Sequence, residues 1–414
     1  MTHQAAGAAP RVTVIGLDGR SLDDDARAAL ADAHLVVGGR RHLTQVALPT
    51  GVRQLVMGEV ATAVAEVATA QAAGQRVVVL ASGDPGFFGV VRALGDLPLT
   101  VLPGVSSVAL ALSRLGRSWD DAVVVSAHGR PLRPAVEVLR RYAGSGRPVV
   151  VLTDASSSPG EIVRSLGPDA GVLHVFEHLG LPGETHTRIV PDGQDATGAL
   201  TASEAVSYPW QSPNVVVSAS GPVTGRPWHQ GLPTSAGWAL PDDAFSHRDG
   251  MLTKREVRAV VLSRLEPRLG TLVWDVGSGS GAVAVECSRL GSSVIAVEQD
   301  AEGVRHLEDN ACRHGAVVRT VHGRAPAALA DLPDPSSAFV GGGGPDVVAA
   351  VAARRPDRLV VALATVERVA TTVAALGAYD VDTVLLQASR LAPLGSGSRL
   401  VPTNPVFVVA GVLS

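Results

Sequence analysis

An apolar strand that runs into a glycine-rich loop is the feature that most restricts the fold of this 414-residue chain. Residues 273–282 read VWDVGSGSGA. A helical pattern follows, and a second apolar strand, residues 293–299, carries Glu298 near its end. A strand, a glycine loop, a helix and a second strand form a βαβ unit, in which ligands bind where the first strand ends. The sequence therefore predicts a Rossmann-like domain with an adenosine-containing ligand at this loop.

Two cofactors are compatible with this loop. Gly277, Gly279 and Ala282 fit the dinucleotide pattern G-x-G-x-x-A, and Glu298 follows about 20 residues later, where a ribose-binding acid belongs. Asp275 favours S-adenosylmethionine, because a carboxylate would repel a pyrophosphate but would suit ammonium and sulfonium charges. We predict a methyltransferase. An NAD(P)-dependent oxidoreductase and a non-catalytic scaffold that binds S-adenosylmethionine remain as alternatives.

Composition narrows the class of partner. The net charge is −4 and no basic run is present, so neither nucleic acid nor an anionic membrane surface is expected as a partner. No apolar run approaches the ~20 residues of a membrane span, and residues 1–10 lack the pattern of a signal peptide. The two cysteines and the scattered histidines show no metal-binding spacing. We expect a cytoplasmic homo-oligomer that acts on a small molecule and holds no metal.

The chain divides near its middle. The first half alternates short β-branched strands (residues 11–15, 76–80, 100–102, 122–125 and 148–152) with helical patterns, which is typical of parallel α/β layers. A stretch rich in glycine and proline follows, and we interpret residues 222–238 as a linker between domains 1–221 and 239–414. The second domain offers seven strand candidates, at residues 271–276, 293–298, 316–321, 337–340, 358–363, 381–387 and 405–411.

Four features of the second half could contact a ligand. The glycines of residues 277–281 would let the backbone approach the methionine moiety. The spacing favours Glu298 as the residue that binds both ribose hydroxyls, and the alternative is that it caps the helix that begins at Asp300. Thr253 and Glu256 have capping-box spacing and would open a helix whose amides face the ligand. The glycine run 341–344 follows the fourth strand, where it is either a flexible loop or a site of close approach to a bulky substrate.

The first half has its own clusters at strand ends, in residues 15–19, 81–89 and 102–107. Each is a weak signal alone, because Gly, Asp and Pro occur in any turn. Together with His128 and Asp154 they mark one edge of one sheet, which predicts a second ligand site.

Both halves contain distinctive motifs. In the first half these are VVGGRRHL (36–43), LASGDPGFFG (80–89), PGVSS (103–107) and SAHGRP (126–131). In the second half they are residues 240–258, which include FSHRDGMLTKRE, then WDVGSGSG (274–281), GRAP (323–326) and the glycine run 341–344. These motifs resemble those of the decarboxylating precorrin-6Y methyltransferase family of cobalamin biosynthesis. The resemblance covers nearly the whole chain, in family order.

This resemblance implies an α/β fold with N-terminal tetrapyrrole methylase (class III) lobes and a C-terminal class I methyltransferase domain with a seven-stranded sheet. It implies two S-adenosylmethionine sites per chain and a precorrin substrate. The N-terminal half would methylate carbon 5. The C-terminal half would methylate carbon 15 and remove carbon dioxide from the ring C acetate, so that precorrin-8 is the product. The order of the two methylations and the presence of cobalt in the substrate stay open.

The predicted cofactor contacts in the second domain are Thr253, Asp275, Gly277, Ser278, Gly279, Ser280, Gly281, Glu298 and Ala325. Those in the first domain are Gly16, Gly83, Asp84, Pro85, Val105, Ser106, Ser107 and Asp154. The predicted substrate contacts are Lys254, Arg255, Arg258, Gly342, Gly343 and Gly344. His247, Arg248 and Asp249 are predicted to be catalytic, because they precede the helix expected at Thr253 and could overhang the cofactor site. One position departs from the family pattern, since Ala362 stands where the family tends to place Asn.

Overall fold

The computed structural model describes residues 11–219, 237–248 and 252–414, and these form two compact units. The first unit contains the described residues up to 130 and residues 147–219. The second contains residues 131–146 together with the described residues from 237 onward. Within this described part of the chain, no helix has the length and apolar character needed to cross a membrane. Asp249 and all of the expected linker before Gly237 lie outside the described residues.

Two sheets build the first unit. The parallel first sheet has the order β3-β2-β4-β1-β5. Its strands are β1 Val12–Leu17, β2 Leu35–Gly38, β3 Arg53–Val56, β4 Val77–Ser82 and β5 Leu99–Leu102. The second sheet has the mixed order β10-β9-β8-β11-β7-β6. Its strands are β6 Val123–Ser126, β7 Val149–Leu152, β8 Leu173–Glu177, β9 Thr185–Val190, β10 Leu200–Thr201 and β11 Asn214–Ser218.

A seven-stranded sheet forms the centre of the second unit, with the order β14-β13-β12-β15-β16-β20-β17. The first five are parallel, and β20 runs antiparallel to both of its neighbours. Its strands are β12 Leu272–Val276, β13 Ser293–Glu298, β14 Arg319–His322, β15 Ser337–Val340, β16 Arg358–Leu363, β17 Tyr379–Leu386 and β20 Val406–Leu413. A separate hairpin consists of β18 Ser389–Leu394 and β19 Gly397–Pro402.

Helices follow most strands, as the alternating pattern predicts. They are α1 Asp24–Ala31, α2 Arg40–Gln45, α3 Val60–Ala72, α4 Val91–Leu94, α5 Ser107–Arg114, α6 Arg133–Tyr142, α7 Pro159–Leu166, α8 Ala202–Ser207, α9 Arg255–Leu265, α10 Ala282–Arg289, α11 Ala301–Arg313, α12 Pro345–Ala353 and α13 Glu367–Ala375. Helix α6 lies in the second unit, where the Ser293 hydroxyl donates to the Glu137 carbonyl at 2.5 Å.

The apolar strand runs explain why the sheets are buried on both faces. Trp274 on β12 is completely buried in a core with α12 on one face of the large sheet. Val273, on the same strand, packs into the core on the other face with Val261 of α9 and Leu307 of α11. A parallel strand buried on both faces reads as a continuous apolar run. The predicted α/β class and seven-stranded sheet are confirmed, and all seven strand candidates of the second half correspond to its strands.

Candidate functional site

The loop between β12 and α10 requires glycine at two positions. Gly277, Gly279 and Gly281 all have positive φ, at 69°, 55° and 75°. A Cβ on Gly277 would lie 2.7 Å from the Gly342 amide nitrogen, and one on Gly281 would lie 2.6 Å from Leu307 Cγ. Among the described residues, nothing lies within 4 Å of the corresponding position on Gly279. The loop is therefore fixed by its neighbours at both ends and open in its middle, where a ligand can approach the backbone.

Asp275 lies on β12, and its carboxylate accepts hydrogen bonds from the loop and from α10. It is buried, and its Oδ2 accepts from the Ser278 hydroxyl and the Ala284 amide, each at 2.9 Å. Its Oδ1 has no hydrogen-bond partner. Burial raises the pKa of Asp275 to about 7, against the smaller effect of those two hydrogen bonds. At neutral pH the group therefore carries only part of a charge, which weakens the electrostatic argument for S-adenosylmethionine that the sequence suggests.

Replacing Asp275 by asparagine is expected to stabilise the second unit increasingly as pH rises. The folded-state pKa lies above the unfolded value of 3.8, so the folded state binds the proton more tightly and stability falls between these two values as pH rises. Asparagine does not ionise and escapes this loss. Between about pH 5 and pH 8 the variant should gain on the order of 3 kcal/mol relative to the parent. Denaturant unfolding at both pH values measures this, and a difference independent of pH would show that Asp275 is ionised throughout.

Glu298 joins the glycine loop to the next helix. Its Oε2 accepts from the Gly279 amide at 2.7 Å, and its Oε1 accepts from the Asp300 amide at 2.9 Å. Gly303 leaves the room that this side chain occupies, because a Cβ there would lie 2.9 Å from Glu298 Cγ. Each carboxylate oxygen has a further lone pair, so ribose hydroxyls could still be accepted. The cap of α11 is Asp300, whose side chain accepts from the Glu302 amide, so Glu298 does not cap this helix itself but holds the amide of the cap residue. Its ribose contact stays a prediction.

The segment before α9 is anchored by a buried ion pair that the sequence did not reveal. Arg258 and Glu286 are both completely buried, with Arg258 Nε 3.3 Å from Glu286 Oε1. Glu286 also accepts from the Ala239 and Leu240 amides, and Arg258 donates to the Thr253 carbonyl at 2.6 Å. These contacts contradict the prediction that Arg258 touches substrate, because its guanidinium is enclosed and committed to internal partners.

The capping box predicted at Thr253 is wrong. Helix α9 begins at Arg255 with Lys254 at its N-cap, and no side chain caps it from that position. Instead Asp242 Oδ1 accepts from the Arg255 amide at 2.9 Å, and Glu256 pairs with Arg390. The acceptor for the first amide of α9 is thus an acid thirteen residues away in the sequence. Local spacing does not indicate such a partner. The cofactor contact predicted for Thr253 stays a prediction.

Arg248 forms ion pairs with two carboxylates. Its Nη1 contacts Asp300 Oδ2 at 2.9 Å and Glu302 Oε2 at 3.1 Å, at the start of α11. Two residues earlier, Ser246 is held by Asn310, whose side chain also donates to the Ser280 carbonyl at 2.9 Å. Asn310 therefore ties this segment to the glycine loop. In the sequence, Asn310 is recognisable only as a polar residue on the buried face of an amphipathic helix.

His247, Arg248 and Asp249 remain the predicted catalytic residues. The structure brings Arg248 toward Glu298 through Asp300. Asp249 falls outside the described residues.

Lys254 lines a cavity of about 190 Å³. Polar groups of Gln387, Thr403 and Asn404 share the lining with Glu256. Arg255 is exposed and lines a different, open depression with Trp238. The lining of the Lys254 pocket also includes Val257, Leu386 and Ala388, so this pocket is half-open and mostly apolar, and the substrate contacts of Lys254 and Arg255 stay predictions.

The glycine run after β15 packs against the glycine loop between β12 and α10. Gly342 is the residue against which Gly277 packs, and Gly343 has φ 107°. Gly344 is the N-cap of α12. Ala325, predicted to contact the cofactor, packs partly buried against the core beneath the sheet. Substrate contacts by the three glycines and cofactor contact by Ala325 stay predictions.

Three loops meet at the carboxyl edge of the first sheet. A Cβ on Gly16 would lie 2.0 Å from the Gly83 carbonyl oxygen and 2.4 Å from the Gly104 amide nitrogen. Pro85 Cδ would be 2.9 Å away. The Gly83 amide donates to the Leu17 carbonyl at 2.7 Å. The predicted residues Gly16, Gly83 and Pro85 are therefore brought together, and only glycine fits at position 16.

Side chains fix the remaining loops of this unit. Asp18, which the sequence analysis missed, accepts from the Val105 amide at 2.8 Å. Ser106 caps α5, which begins at Ser107. Asp84 accepts from the Gly86 amide at 2.8 Å.

Asp154 follows β7 of the second sheet, whereas Gly16 and Gly83 lie at strands of the first sheet. The prediction that all these residues mark one edge of one sheet is therefore wrong. Asp154 is engaged in its own loop. It accepts from the Gly129, Ser156 and Ser157 amides. Hydrogen bonds, above all from the Gly129 amide, lower the pKa of Asp154 to about 2. Its carboxylate thus joins two loops of the unit, and its predicted cofactor contact remains a prediction.

Two protein families match this chain. The tetrapyrrole (corrin/porphyrin) methylase family matches residues 7–190, and the precorrin methyltransferase domain family matches residues 243–411. A Sinorhizobium protein named precorrin-6Y C(5,15)-methyltransferase (decarboxylating) is 35% identical over 96% of this chain and 95% of its own length.

Two Salmonella typhimurium proteins each match a smaller part. One, named cobalt-precorrin-6B C(15)-methyltransferase (decarboxylating), is 34% identical over 41% of this chain and 94% of its own length. The other, named cobalt-precorrin-7 C(5)-methyltransferase, is 31% identical over 42% of this chain and 87% of its own length. The similarity to the Sinorhizobium protein spans almost the full length of both chains. The chain therefore belongs to the precorrin-6Y C(5,15)-methyltransferase (decarboxylating) family.

Proposed function

We propose that this chain is a bifunctional methyltransferase that transfers methyl groups from S-adenosylmethionine to carbons 5 and 15 of a precorrin and removes carbon dioxide from the ring C acetate to give precorrin-8. The glycine loop with Glu298 beneath its open face is the observation that carries the proposal. The Sinorhizobium relative's name supports both activities. Methyltransferases of this family use S-adenosylmethionine.

We propose one cofactor site in each half, divided as domains 1–221 and 239–414 around a linker at 222–238. Two observations support this division. The two family models match residues on either side of the linker. Relatives named for a single carbon each cover about two fifths of this chain, 41% and 42%. Carbon 5 is assigned to the first half, and carbon 15 with decarboxylation to the second.

The chemistry asks the protein mainly for positioning. The sulfonium methyl group is already reactive, so holding a ring carbon in line with it supplies up to ~7–11 kcal/mol and no nucleophilic residue is needed. When the bond to carbon dioxide breaks, the conjugated macrocycle delocalises the electron pair that is left behind, and a proton from solvent then completes the methyl group. An arginine clamp on the departing carboxylate would stabilise the ground state, so this acetate should enter a dry pocket. We propose Lys254, which lines the half-open pocket beside α9, as the cation for a carboxylate that is retained.

Replacing Glu298 by alanine should weaken S-adenosylhomocysteine binding at the second-half site by about 10- to 100-fold, because charge-assisted hydrogen bonds are lost. Binding at the first-half site should be unchanged. Titration calorimetry with the full chain measures both sites. Glu308→Ala is the matched control, since Glu308 is an exposed carboxylate on α11.

The Gly279 and Asp300 contacts of Glu298 could by themselves explain weaker binding. A second ligand, the 2′-deoxyribose analogue of S-adenosylhomocysteine, separates the two roles. If Glu298 accepts hydrogen bonds from the ribose, the unsubstituted protein should bind S-adenosylhomocysteine more tightly than its 2′-deoxy analogue. The Glu298→Ala variant should lose this difference in affinity. An equal preference in both proteins would restrict Glu298 to ordering the loop.

Mass spectrometry of a precorrin incubated with the full chain and S-adenosylmethionine tests the function. The expected product has gained two methyl groups and lost one carbon dioxide. An unchanged substrate despite S-adenosylhomocysteine binding would favour the non-catalytic scaffold. Binding of a nicotinamide dinucleotide in place of S-adenosylhomocysteine would favour the oxidoreductase.

We also propose that the chain is a cytoplasmic homo-oligomer. Both cysteines are free, as expected in a reducing compartment. Leu391 and Leu400 are opposite each other on the β18–β19 hairpin, with 73% and 66% of their surface exposed. Exposed apolar pairs of this kind mark association surfaces. Sedimentation should show an oligomer that dissociates in Leu391→Ser/Leu400→Ser, and a parent monomer would contradict this.

A further inference from the structure

The first half contains a motif in which two arginines precede a histidine. It is VVGGRRHL, residues 36–43, which contains the end of β2 and the start of α2. Strand β2 pairs with β4 in parallel, so both strands end at the same edge of the sheet. Ser82 ends β4 and immediately precedes Gly83, which packs against Gly16. The motif therefore lies beside the loops expected to hold the first cofactor.

Three side chains meet at this edge. Arg41 Nη2 donates to Ser82 Oγ at 2.9 Å, and His42 Nε2 lies 2.8 Å from the same oxygen. Arg41 Nη2 and His42 Nε2 are 3.4 Å apart. Because a guanidinium only donates, Ser82 must accept from Arg41. Ser82 and His42 thus fix the position of one end of the Arg41 guanidinium.

The charge on Arg41 has no counter-ion within the described part of the chain. The side chain is partly buried, and burial lowers its pKa. No described carboxylate lies within ion-pair distance of it, and its Nη1 and Nε have no described acceptor. The buried Arg258, by contrast, pairs with Glu286. Withdrawing a cation from water without an opposite charge is unfavourable, so such a group usually has a partner.

His42 adds no charge to this cluster. Burial, followed by the nearby charge of Arg41, lowers the pKa of His42 to about 4. The imidazole is therefore neutral at pH 7, and the cluster carries one positive charge. The neutral ring allows a hydrogen bond with Ser82 without adding a second cation beside Arg41.

We propose that Arg41 binds a carboxylate of the tetrapyrrole substrate in the first half of the chain, with Ser82 and His42 as positioning residues. The guanidinium presents donors in a fork that matches a carboxylate. Its place beside the Gly16 and Gly83 loops would hold the macrocycle next to the first cofactor. The inference rests on the proposed function, since it takes the precorrin as the ligand.

Steady-state kinetics of the full chain test this assignment. Arg41→Ala should raise KM for carbon 5 methylation by about 10- to 100-fold, the range for a lost charged hydrogen bond. Ser82→Ala should raise KM less, by roughly 3- to 10-fold, because a neutral bond is lost. Arg40→Ala is the matched control, since Arg40 is the exposed neighbour on the same helix. S-adenosylhomocysteine binding and carbon 15 methylation should match the parent in all three variants.

The thermal midpoint separates binding from a structural role. Removing an unpaired, partly desolvated charge should leave the midpoint of Arg41→Ala unchanged or raise it. An unchanged KM in Arg41→Ala, an equal rise in Arg40→Ala, or a lowered midpoint with weaker S-adenosylhomocysteine binding would each overturn the proposal. Failure of the proposed function would look different, because the parent protein itself would then leave carbon 5 unmethylated.

Discussion

Replacing Gly16 by alanine is expected to abolish carbon 5 methylation while carbon 15 methylation and decarboxylation continue. The new Cβ would stand 2.0 Å from the Gly83 carbonyl oxygen and 2.4 Å from the Gly104 amide nitrogen. Both are backbone atoms, so no side-chain rotation relieves the contacts, and the three loops must separate. A displacement of about 1 Å at a methyl-transfer site costs roughly 100-fold in rate. Mass spectrometry of the product should show one methyl group gained and one carbon dioxide lost.

Gly58→Ala is the control for this change. Gly58 is in the same unit, and nothing lies within 4 Å of the position that its Cβ would take. This variant should give the doubly methylated product at the parent rate. If Gly16→Ala also forms that product at the parent rate, the three loops are not part of a methyl-transfer site.

The corresponding change in the second half, Gly277→Ala, should produce the opposite pattern. Its Cβ would lie 2.7 Å from the Gly342 amide nitrogen, and φ 69° is unfavourable for alanine. The glycine loop between β12 and α10 must then move away from the glycine run after β15. We expect at least a 100-fold loss of carbon 15 methylation and decarboxylation, on the same positional argument. Carbon 5 methylation should persist on any precorrin that already carries the carbon 15 methyl group.

Gly315→Ala controls for backbone strain alone. Gly315 also has positive φ, at 59°, but its Cβ would meet nothing within 4 Å. This variant should lose about 1 kcal/mol of stability and keep both activities. A loss of activity equal to that of Gly277→Ala would attribute the effect to strain rather than to the contact with Gly342.

The backbone of the site could be predicted because it follows from local patterns. Residues 273–282 specify a strand, a turn with positive φ and a helix, and the structure has these elements at that place. The seven strands of the second half could be placed because continuous apolar runs alternate with helical periodicity. The exposed β18–β19 hairpin was missed, since its residues face solvent and show no alternation of buried and exposed positions.

Contacts over long sequence separations could not be predicted. Arg258 resembles a solvent-facing cation in the sequence, but its partner Glu286 is 28 residues away and lies on a different helix. Thr253 and Glu256 have capping-box spacing, yet Asp242 takes the Arg255 amide instead. Asn310 reaches Ser280 across 30 residues. Spacing rules describe neighbours within one turn, whereas these polar groups choose partners that the tertiary fold brings together.

The number of S-adenosylhomocysteine molecules bound per full chain tests the central claim of two independent methyl-transfer sites most directly. Titration calorimetry should give two for the parent, and one each for Gly16→Ala and Gly277→Ala, with the remaining site at its parental affinity. A parent that binds a single molecule would contradict the account, as would either variant losing both sites together.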